Sequence, residues 1–367
     1  MERLPHVIHQ FAFEGVYLDA EVCTFGHIND TFVLRFQQPG NQIRKYVLQY
    51  INKHVFEDPA KVMANIQAVT SHLRSRIEEM GGDPYRETIN LIPTLNGAPY
   101  YLSPEGDYWR AYYYIEGATT YQTVENPKHF YYAGRAFGQF QKLLSDFPAD
   151  SLHETIEKFH DTRKRYHDFL EAVAADRCDR AKDVQEEIEF VKARKADTGV
   201  IVDLIAAGEI PLRVTHNDTK LDNIMIDDVT GKGICVIDLD TVMPGSALYD
   251  FGDSIRFGAS SAPEDEPDLS KVWMDMDLFG EFTKGYLSAA KEFLTDTEIR
   301  YLAFSAKLIT LECGMRFLTD HLNGDVYFRI HRPNHNLDRA STQFKLVSDM
   351  EKKMDQMEAV VQAALEE

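Results

Sequence analysis

The chain changes rhythm near residue 117. Before it, short apolar runs are broken by turn signals; after it, apolar residues recur at helical spacing. Residues 31–36 and 46–51 are rich in β-branched and aromatic side chains and are separated by the turn-forming Pro39-Gly40-Asn41-Gln42, which predicts two strands. Asn96-Gly97, between residues 91–95 and 98–102, predicts a hairpin, and residues 107–115 a further strand. One helix interrupts them. Asp58 is placed as its N-cap, Pro59 in its first turn and Gly81 just past its end. Val62, Ile66, Val69, Leu73 and Ile77 repeat every three or four positions, which predicts one buried face.

After Glu116-Gly117, residues 127–144, 153–175 and 183–207 read as long helices, as do 271–294 and 297–318. The last twenty residues read as a charged amphipathic helix, and the charge-rich stretch 176–195 as a solvated helix surface. The expected class is therefore α+β and bilobal. It has a small β-rich lobe over 1–112, a link over 113–118 and a larger, mainly helical lobe over 119–367, with a cleft between the lobes as the favoured place for a ligand.

Composition narrows the partners. At 44% hydrophobic and 27% charged, the chain matches an ordinary globular protein, and no apolar run approaches the roughly 18 residues of a membrane span. The start lacks the apolar core of a signal peptide, and the four cysteines show no metal-ligand or disulfide-framework spacing. A reducing, cytoplasmic setting is expected. With 39 basic against 59 acidic residues the net charge is −20, which disfavours nucleic acid and anionic membranes and tolerates neutral or cationic small molecules. A bound nucleotide would need its charge met locally.

The stretch VTHNDTKLDNIMIDDVTGKGICVIDLD, residues 214–240, carries the chemistry. His216, Asp218 and Asn223 give the H-x-D-x-x-x-x-N spacing of kinase-type catalytic loops, in which the Asp accepts a proton from the attacking hydroxyl and the Asn holds magnesium. An apolar strand precedes the loop at 211–214. A hairpin follows, with arms at 224–226 and 234–237 and a turn at Thr230-Gly231; it delivers Asp238 as a second carboxylate. Oxygen donors of this kind suit Mg2+. His216 is expected to orient the loop rather than to react. Asp240 has two open readings: assisting the metal through water, or capping a turn. Asp250 and Asp253 read as acids near a helix N-terminus.

These residues carry a resemblance. HNDTKLDNIM, VIDLDTVMPG and YDFGDSIRFG resemble the aminoglycoside-phosphotransferase and choline-kinase superfamily, whose fold is protein-kinase-like. With GHINDTF, YVLQYIN, AGRAFGQFQ and LECGMRFLTDHLNGDVYF added, the chain resembles the bacterial N-acetylhexosamine 1-kinases nearly end to end. The resemblance implies transfer of phosphate from ATP to the 1-hydroxyl of N-acetylglucosamine or N-acetylgalactosamine. Asp218 would be the base, beside the acceptor, and Asn223 and Asp238 the Mg2+ ligands. It places Gly26, Asn29 and Thr31 in a loop over the phosphates, and Tyr113, Tyr114 and Ile115 in a hinge holding adenine. His27, Arg316 and Tyr327 would contact the sugar. Gln49 stands where kinases of this fold carry a phosphate-binding cation, and glutamine offers no charge. Lys45, Arg44 or Lys53 is expected to compensate. Three alternatives stand beside this reading. Arg316 could instead pair with Glu312 four residues earlier; the acceptor could be an aminoglycoside, choline, homoserine or another hexose; and the chain could be a pseudokinase, which Gln49 motivates.

Overall fold

Alternating side chains build the first sheet. In the computed structural model, which describes residues 4–23, 29–53, 55–124 and 126–366, β2 (Asp30–Gln37) and β3 (Ile43–Ile51) run antiparallel. Leu34, Phe36, Tyr46 and Leu48 are buried on one face. β1 (Val16–Cys23) extends the sheet beyond β2, β5 (Tyr108–Tyr113) pairs with the other edge of β3, and β4 (Tyr101–Leu102) closes the order β1-β2-β3-β5-β4. This register sets Gln49 opposite Thr31 on one side and opposite Arg110 on the other. The short helix α1 (Leu4–Ile8) covers the apolar face with Leu4, Val7 and Ile8 against Leu34, Leu48 and Trp109.

α2 (Pro59–Glu79) matches its prediction. Asp58 caps Lys61 N–H, Pro59 starts the helix, and Val62, Ile66, Val69, Leu73 and Ile77 are buried. α3 (Pro84–Glu87) follows. The predicted hairpin at Asn96-Gly97 is reduced to a turn closed by Thr94 N–H on Ala98 O. Its first arm makes only isolated bridges, Leu91 to Tyr112 and Thr94 to Phe11. Pro93 and Pro99 lack the N–H groups that a continuous ladder requires.

The rest of the chain is mainly helical. β6 (Ala118–Thr119), α4 (Pro127–Leu143), α5 (Thr162–Ala175), α6 (Gln185–Lys192) and α7 (Val200–Ala206) lead to β7 (Arg213–Thr215). A hairpin of β8 (Ile224–Asp227) and β9 (Gly233–Val236) pairs with β6, and β10 (Met243–Gly245) pairs with β7. α8 (Ala247–Gly258), α9 (Met276–Ala290), α10 (Asp296–Arg300), α11 (Leu302–Asn323) and α12 (His335–Glu366) complete the chain. The helix predicted over 153–175 starts only at Thr162, where Asp161 caps Lys164 N–H; upstream, the backbone of His153 is tied to Asn65 of α2. The helix predicted over 183–207 splits into α6 and α7 around Thr198, whose carbonyl accepts the Thr162 hydroxyl.

α4 and α9 meet along a seam of small residues. A side chain at Gly285 would overlap the Tyr131 carbonyl, and one at Gly134 the Phe282 carbonyl, so the two backbones touch where only glycine fits. Apolar packing in the helical region falls into two clusters. The larger includes Phe137, Phe140, Phe251, Phe279, Phe282 and Leu308. The second gathers Tyr166, Phe169, Leu311, Met315, Phe317 and Phe344 from α5, α11 and α12. No helix among the described residues is long and apolar enough to cross a membrane.

Candidate active site

Asp218 sits on the loop between β7 and β8, and hydrogen bonds from several elements anchor that loop. β7 is anchored by Arg213, which makes two bonds of 2.6 and 2.8 Å to the buried Glu298. His216 is fully buried between the edges of Phe137 and Phe140 of α4, with Nε2 2.8 Å from Ile237 O and Nδ1 3.3 Å from the Asp218 N–H. It orients the loop, as its sequence position predicts. Asn217 takes a left-handed φ of 64° and ties itself to Thr241 O at 2.9 Å.

Asp250 and Asp253 do more than charge a helix end. Asp250 accepts the N–H groups of His216 (2.9 Å) and Asn217 (2.8 Å) and the Gln141 amide (2.7 Å). Asp253 accepts the Thr219 N–H at 2.9 Å. Two buried carboxylates on one face of α8 thus grip the backbone at 216, 217 and 219, on both sides of Asp218. Burial pushes the Asp250 carboxyl up; at Asp253 burial acts the same way, but the Arg256 guanidinium, His160 and the Thr219 N–H together outweigh it and hold the carboxyl low. The Gln141 that serves Asp250 accepts in turn from the Tyr286 hydroxyl, so α9, α4, α8 and the loop form one polar chain.

The predicted trio comes together. Asn223 Nδ2 donates to Asp218 O at 2.7 Å and to Asp218 Oδ2 at 3.1 Å, and its amide oxygen therefore points away from Asp218. Asp238 follows β9 with a left-handed φ of 58°. It is reached by water yet walled in by protein, and its carboxyl is pushed up to about 7 by that desolvation, then by the Asp240 and Asp218 charges. The Asp238 carboxylate beside the Asp218 carboxylate, plus the neutral Asn223 amide oxygen, is an oxygen donor set that fits Mg2+. Among the described residues no group of three His, Cys, Asp or Glu side chains is placed to hold a metal ion by itself.

Sequence reasoning missed Lys220. Its Nζ lies 3.4 Å from Asp218 Oδ2; burial alone would lower its pKa, but Asp218, Asp222, Asp238 and Asp253 outweigh burial and raise it. The signal was visible, two residues after Asp218 in the same motif. Arg110 was also missed. It is 1% exposed, donates from Nε to Gln49 Oε1 at 2.9 Å, and pairs with Asp240.

Asp240 is corrected by this geometry. Its side chain makes no helix-capping bond: one carboxylate oxygen takes Arg110, and the other takes Asn29 Nδ2 at 2.6 Å. Gln49 is spent between Arg110 and Thr31, whose hydroxyl accepts its amide at 2.9 Å. The compensating cations expected at Lys45, Arg44 and Lys53 are engaged elsewhere. Arg44 pairs with Glu14, Lys45 with Glu116, and Lys53 with Gly106 O and Asp107. Gly26 and His27 lie outside the described residues. Tyr113 and Tyr114 leave the sheet with their N–H groups on Asn90 O and Lys45 O, and Ile115 is buried.

Arg316 and Tyr327 form a separate group. Arg316 does not take Glu312, which instead bonds the buried His160 at 2.9 Å. Its guanidinium lies over the rings of Phe159 (4.9 Å) and Phe328 (5.5 Å). Asp320 accepts the N–H groups of Val326, Tyr327 and Phe328 at 3.0, 2.8 and 2.9 Å and so fixes the turn carrying Tyr327, which is 64% exposed. α8 connects this group to the loop: Asp253 grips Thr219 and bonds Arg256, which reaches Glu264, which also meets Cys313 of α11, three residues before Arg316.

Residues 23–273 match the family model described as the phosphotransferase enzyme family. Solved structures align over almost the whole chain at low identity. A microcompartment-associated aminopropanol kinase is 12% identical, with 97% of this chain and 98% of that one covered and a TM-score of 0.61. Amicoumacin kinase in complex with AMP-PNP, Ca2+ and Ami is 10% identical over 96% and 93%, with a TM-score of 0.59. Choline kinase from Cryptosporidium parvum is 15% identical over 100% and 99%, with a TM-score of 0.58. The common element is the fold: a β-sheet N-terminal region and a helical C-terminal region of protein-kinase-like type.

Proposed function

The chain belongs to the phosphotransferase enzyme family, and from that premise we propose that it transfers the terminal phosphoryl group of ATP to the anomeric hydroxyl of an N-acetylhexosamine. At the coarser level it is a small-molecule kinase with an alcohol acceptor. The observation that carries the reading is the Asp218 carboxylate. It is half-buried on a loop held from three sides, hydrogen-bonded by Asn223 and next to Lys220.

Asp218 takes the proton of the acceptor hydroxyl while that oxygen bonds to the γ-phosphorus and the bond to the bridging oxygen breaks, releasing ADP. Lys220 offers positive charge beside the base. Asn223 and Asp238 would hold Mg2+, which when bound offsets charge on the phosphate oxygens. The rigid loop contributes mainly orientation, which is the larger part of what this chemistry asks of a protein. ATP as donor is supported by the amicoumacin kinase structure, which holds AMP-PNP. Tyr113, Tyr114 and Ile115 are assigned to the adenine, Asn29 and Thr31 to the edge of the phosphate loop. The sugar assignment rests on the C-terminal segments that resemble N-acetylhexosamine kinases and on an Arg316 held by aromatic faces rather than by Glu312. Its planar fork suits sugar hydroxyls or an acetamido oxygen.

A second reading is favoured by the net charge of −20, which suits a cationic acceptor. ADP release with Mg-ATP against N-acetylglucosamine, N-acetylgalactosamine, glucose, choline, homoserine and kanamycin separates the two. Turnover confined to the N-acetylhexosamines, with an anomeric phosphate by phosphorus NMR, is expected. Asp218→Asn should lower kcat by about 10² to 10⁴, the usual contribution of a general base. Turnover on choline or kanamycin alone would move the assignment to a cationic acceptor, and an undiminished Asp218→Asn would remove Asp218 as the base.

A further inference from the structure

The sheet delivers one buried cation to the cleft, and it comes from an unexpected strand. Gln49 of β3 and Arg110 of β5 are directly paired in register, so their side chains leave the same face of the sheet as neighbours. The Gln49 amide bonds the Arg110 guanidinium at 2.9 Å. The positive charge absent from position 49 therefore stands one strand over, within a hydrogen bond of where a longer side chain at 49 would reach.

Arg110 is not poised as a free phosphate ligand. It is 1% exposed and is committed to Asp240, itself 4% exposed, across 130 residues of chain. Asp240 lies two residues beyond Asp238, in the turn that follows β9. Its second oxygen takes Asn29, the described residue at the C-terminal edge of the loop assigned to the phosphates. Asn29 in turn accepts the Asn52 N–H at 3.0 Å, where β3 ends. One carboxylate thus joins β5, the start of β2 and the segment bearing Asp238.

We propose that Arg110, Asp240 and Asn29 form a latch that positions the nucleotide site, with Arg110 supplying through Asp240 the ordering that a cation at position 49 would otherwise supply by direct contact. The latch fixes the distance between the sheet and Asp238, so it governs nucleotide affinity while the acceptor group around Arg316 is untouched. Arg110 is a positioning residue in this scheme, and the inference rests on the kinase reading above.

The test is calorimetric binding of Mg-ATP and of adenosine, with acceptor KM measured in parallel. Arg110→Gln and Asp240→Asn each strand the buried partner charge and risk the fold, so Asp240→Asn is read beside Arg110→Lys and the charge-free pair Arg110→Gln with Asp240→Asn, whose pairing leaves no lone buried charge. A latch predicts that Asp240→Asn weakens Mg-ATP by roughly tenfold or more, the scale of a lost charged hydrogen bond. The double variant should be no weaker than Asp240→Asn, because the two residues act as one unit. Adenosine affinity and acceptor KM should stay within about twofold of wild type. Tighter Mg-ATP binding by Asp240→Asn would overturn the latch, since it would mean that Asp240 merely competes with phosphate for Arg110. Unchanged Mg-ATP affinity in all three variants would also overturn it. Failure of the wild-type protein to bind Mg-ATP would sink the kinase reading instead, so the two failures are distinct.

Discussion

Replacing Asp250 by Asn keeps the shape of the side chain and removes one acceptor. The carboxylate now serves three donors: His216 N–H and the Gln141 amide on Oδ2, and Asn217 N–H on Oδ1. An asparagine amide that keeps its oxygen at the Oδ2 position turns its NH2 group toward the Asn217 N–H. A buried backbone donor left facing another donor costs about 1–3 kcal/mol, and the two surviving bonds lose charge assistance worth roughly 1 kcal/mol together. Relief of the burial that now pushes the Asp250 carboxyl up offsets part of this. The two costs sum to about 2–4 kcal/mol, and after that offset the expected net loss is about 1.5–3 kcal/mol. Were Asp250 only an acid near a helix N-terminus, the loss would be about 0.3–1 kcal/mol. Urea unfolding at constant m-value separates the two ranges. The catalytic consequence is sharper, because Asn217 immediately precedes Asp218. A displacement near 1 Å at the base lowers kcat by about 10²-fold, with little change in nucleotide binding. An Asp250→Asn protein with wild-type kcat and a stability loss under about 1 kcal/mol would refute the claim that α8 holds the loop.

The glycine seam predicts opposite outcomes for two neighbouring positions of α9. Gly285→Ala should destabilise by about 1–3 kcal/mol through overpacking, whereas at Gly280 a side chain would meet only Val360 at 3.9 Å, so Gly280→Ala should stabilise by roughly 0.5–1 kcal/mol; equal thermal shifts would refute the seam. Asp320→Ala frees three N–H groups of the turn at 326–328 and should raise acceptor KM several-fold, with Mg-ATP affinity measured by calorimetry unchanged; an unchanged acceptor KM would detach Tyr327 from the acceptor.

What the sequence revealed depended on how far apart the partners lie along it. Asp218, Asn223 and Asp238 were legible because one loop and one hairpin bring them together. Arg110 was not, because its meaning depends on the β3–β5 register and on a partner 130 positions away. Asp250 was legible as an acid in the first turn of a helix, but its backbone donors were not, since they lie 33 and 34 residues earlier. β1 escaped detection because Val16, Tyr17, Leu18 and Val22 are all exposed and show no alternation. The 91–102 hairpin was overread because Asn-Gly is a turn signal that says nothing about Pro93 and Pro99 beside it.

The two apolar clusters divide α11 between them. Leu302 to Ile309 pack with the seam and the loop bearing Asp218, while Leu311 to Leu322 pack with α5 and α12, on the half that carries Arg316. A mutation that reshapes the second cluster therefore spends its strain away from His216 and Asp218. For a lineage under pressure to accept a new alcohol, this is an inexpensive arrangement. The far half of one helix can drift, with the turn it supports, while the transfer chemistry is inherited intact. Family members that act on unlike acceptors should accordingly diverge most in the counterparts of α5, the C-terminal half of α11 and the start of α12.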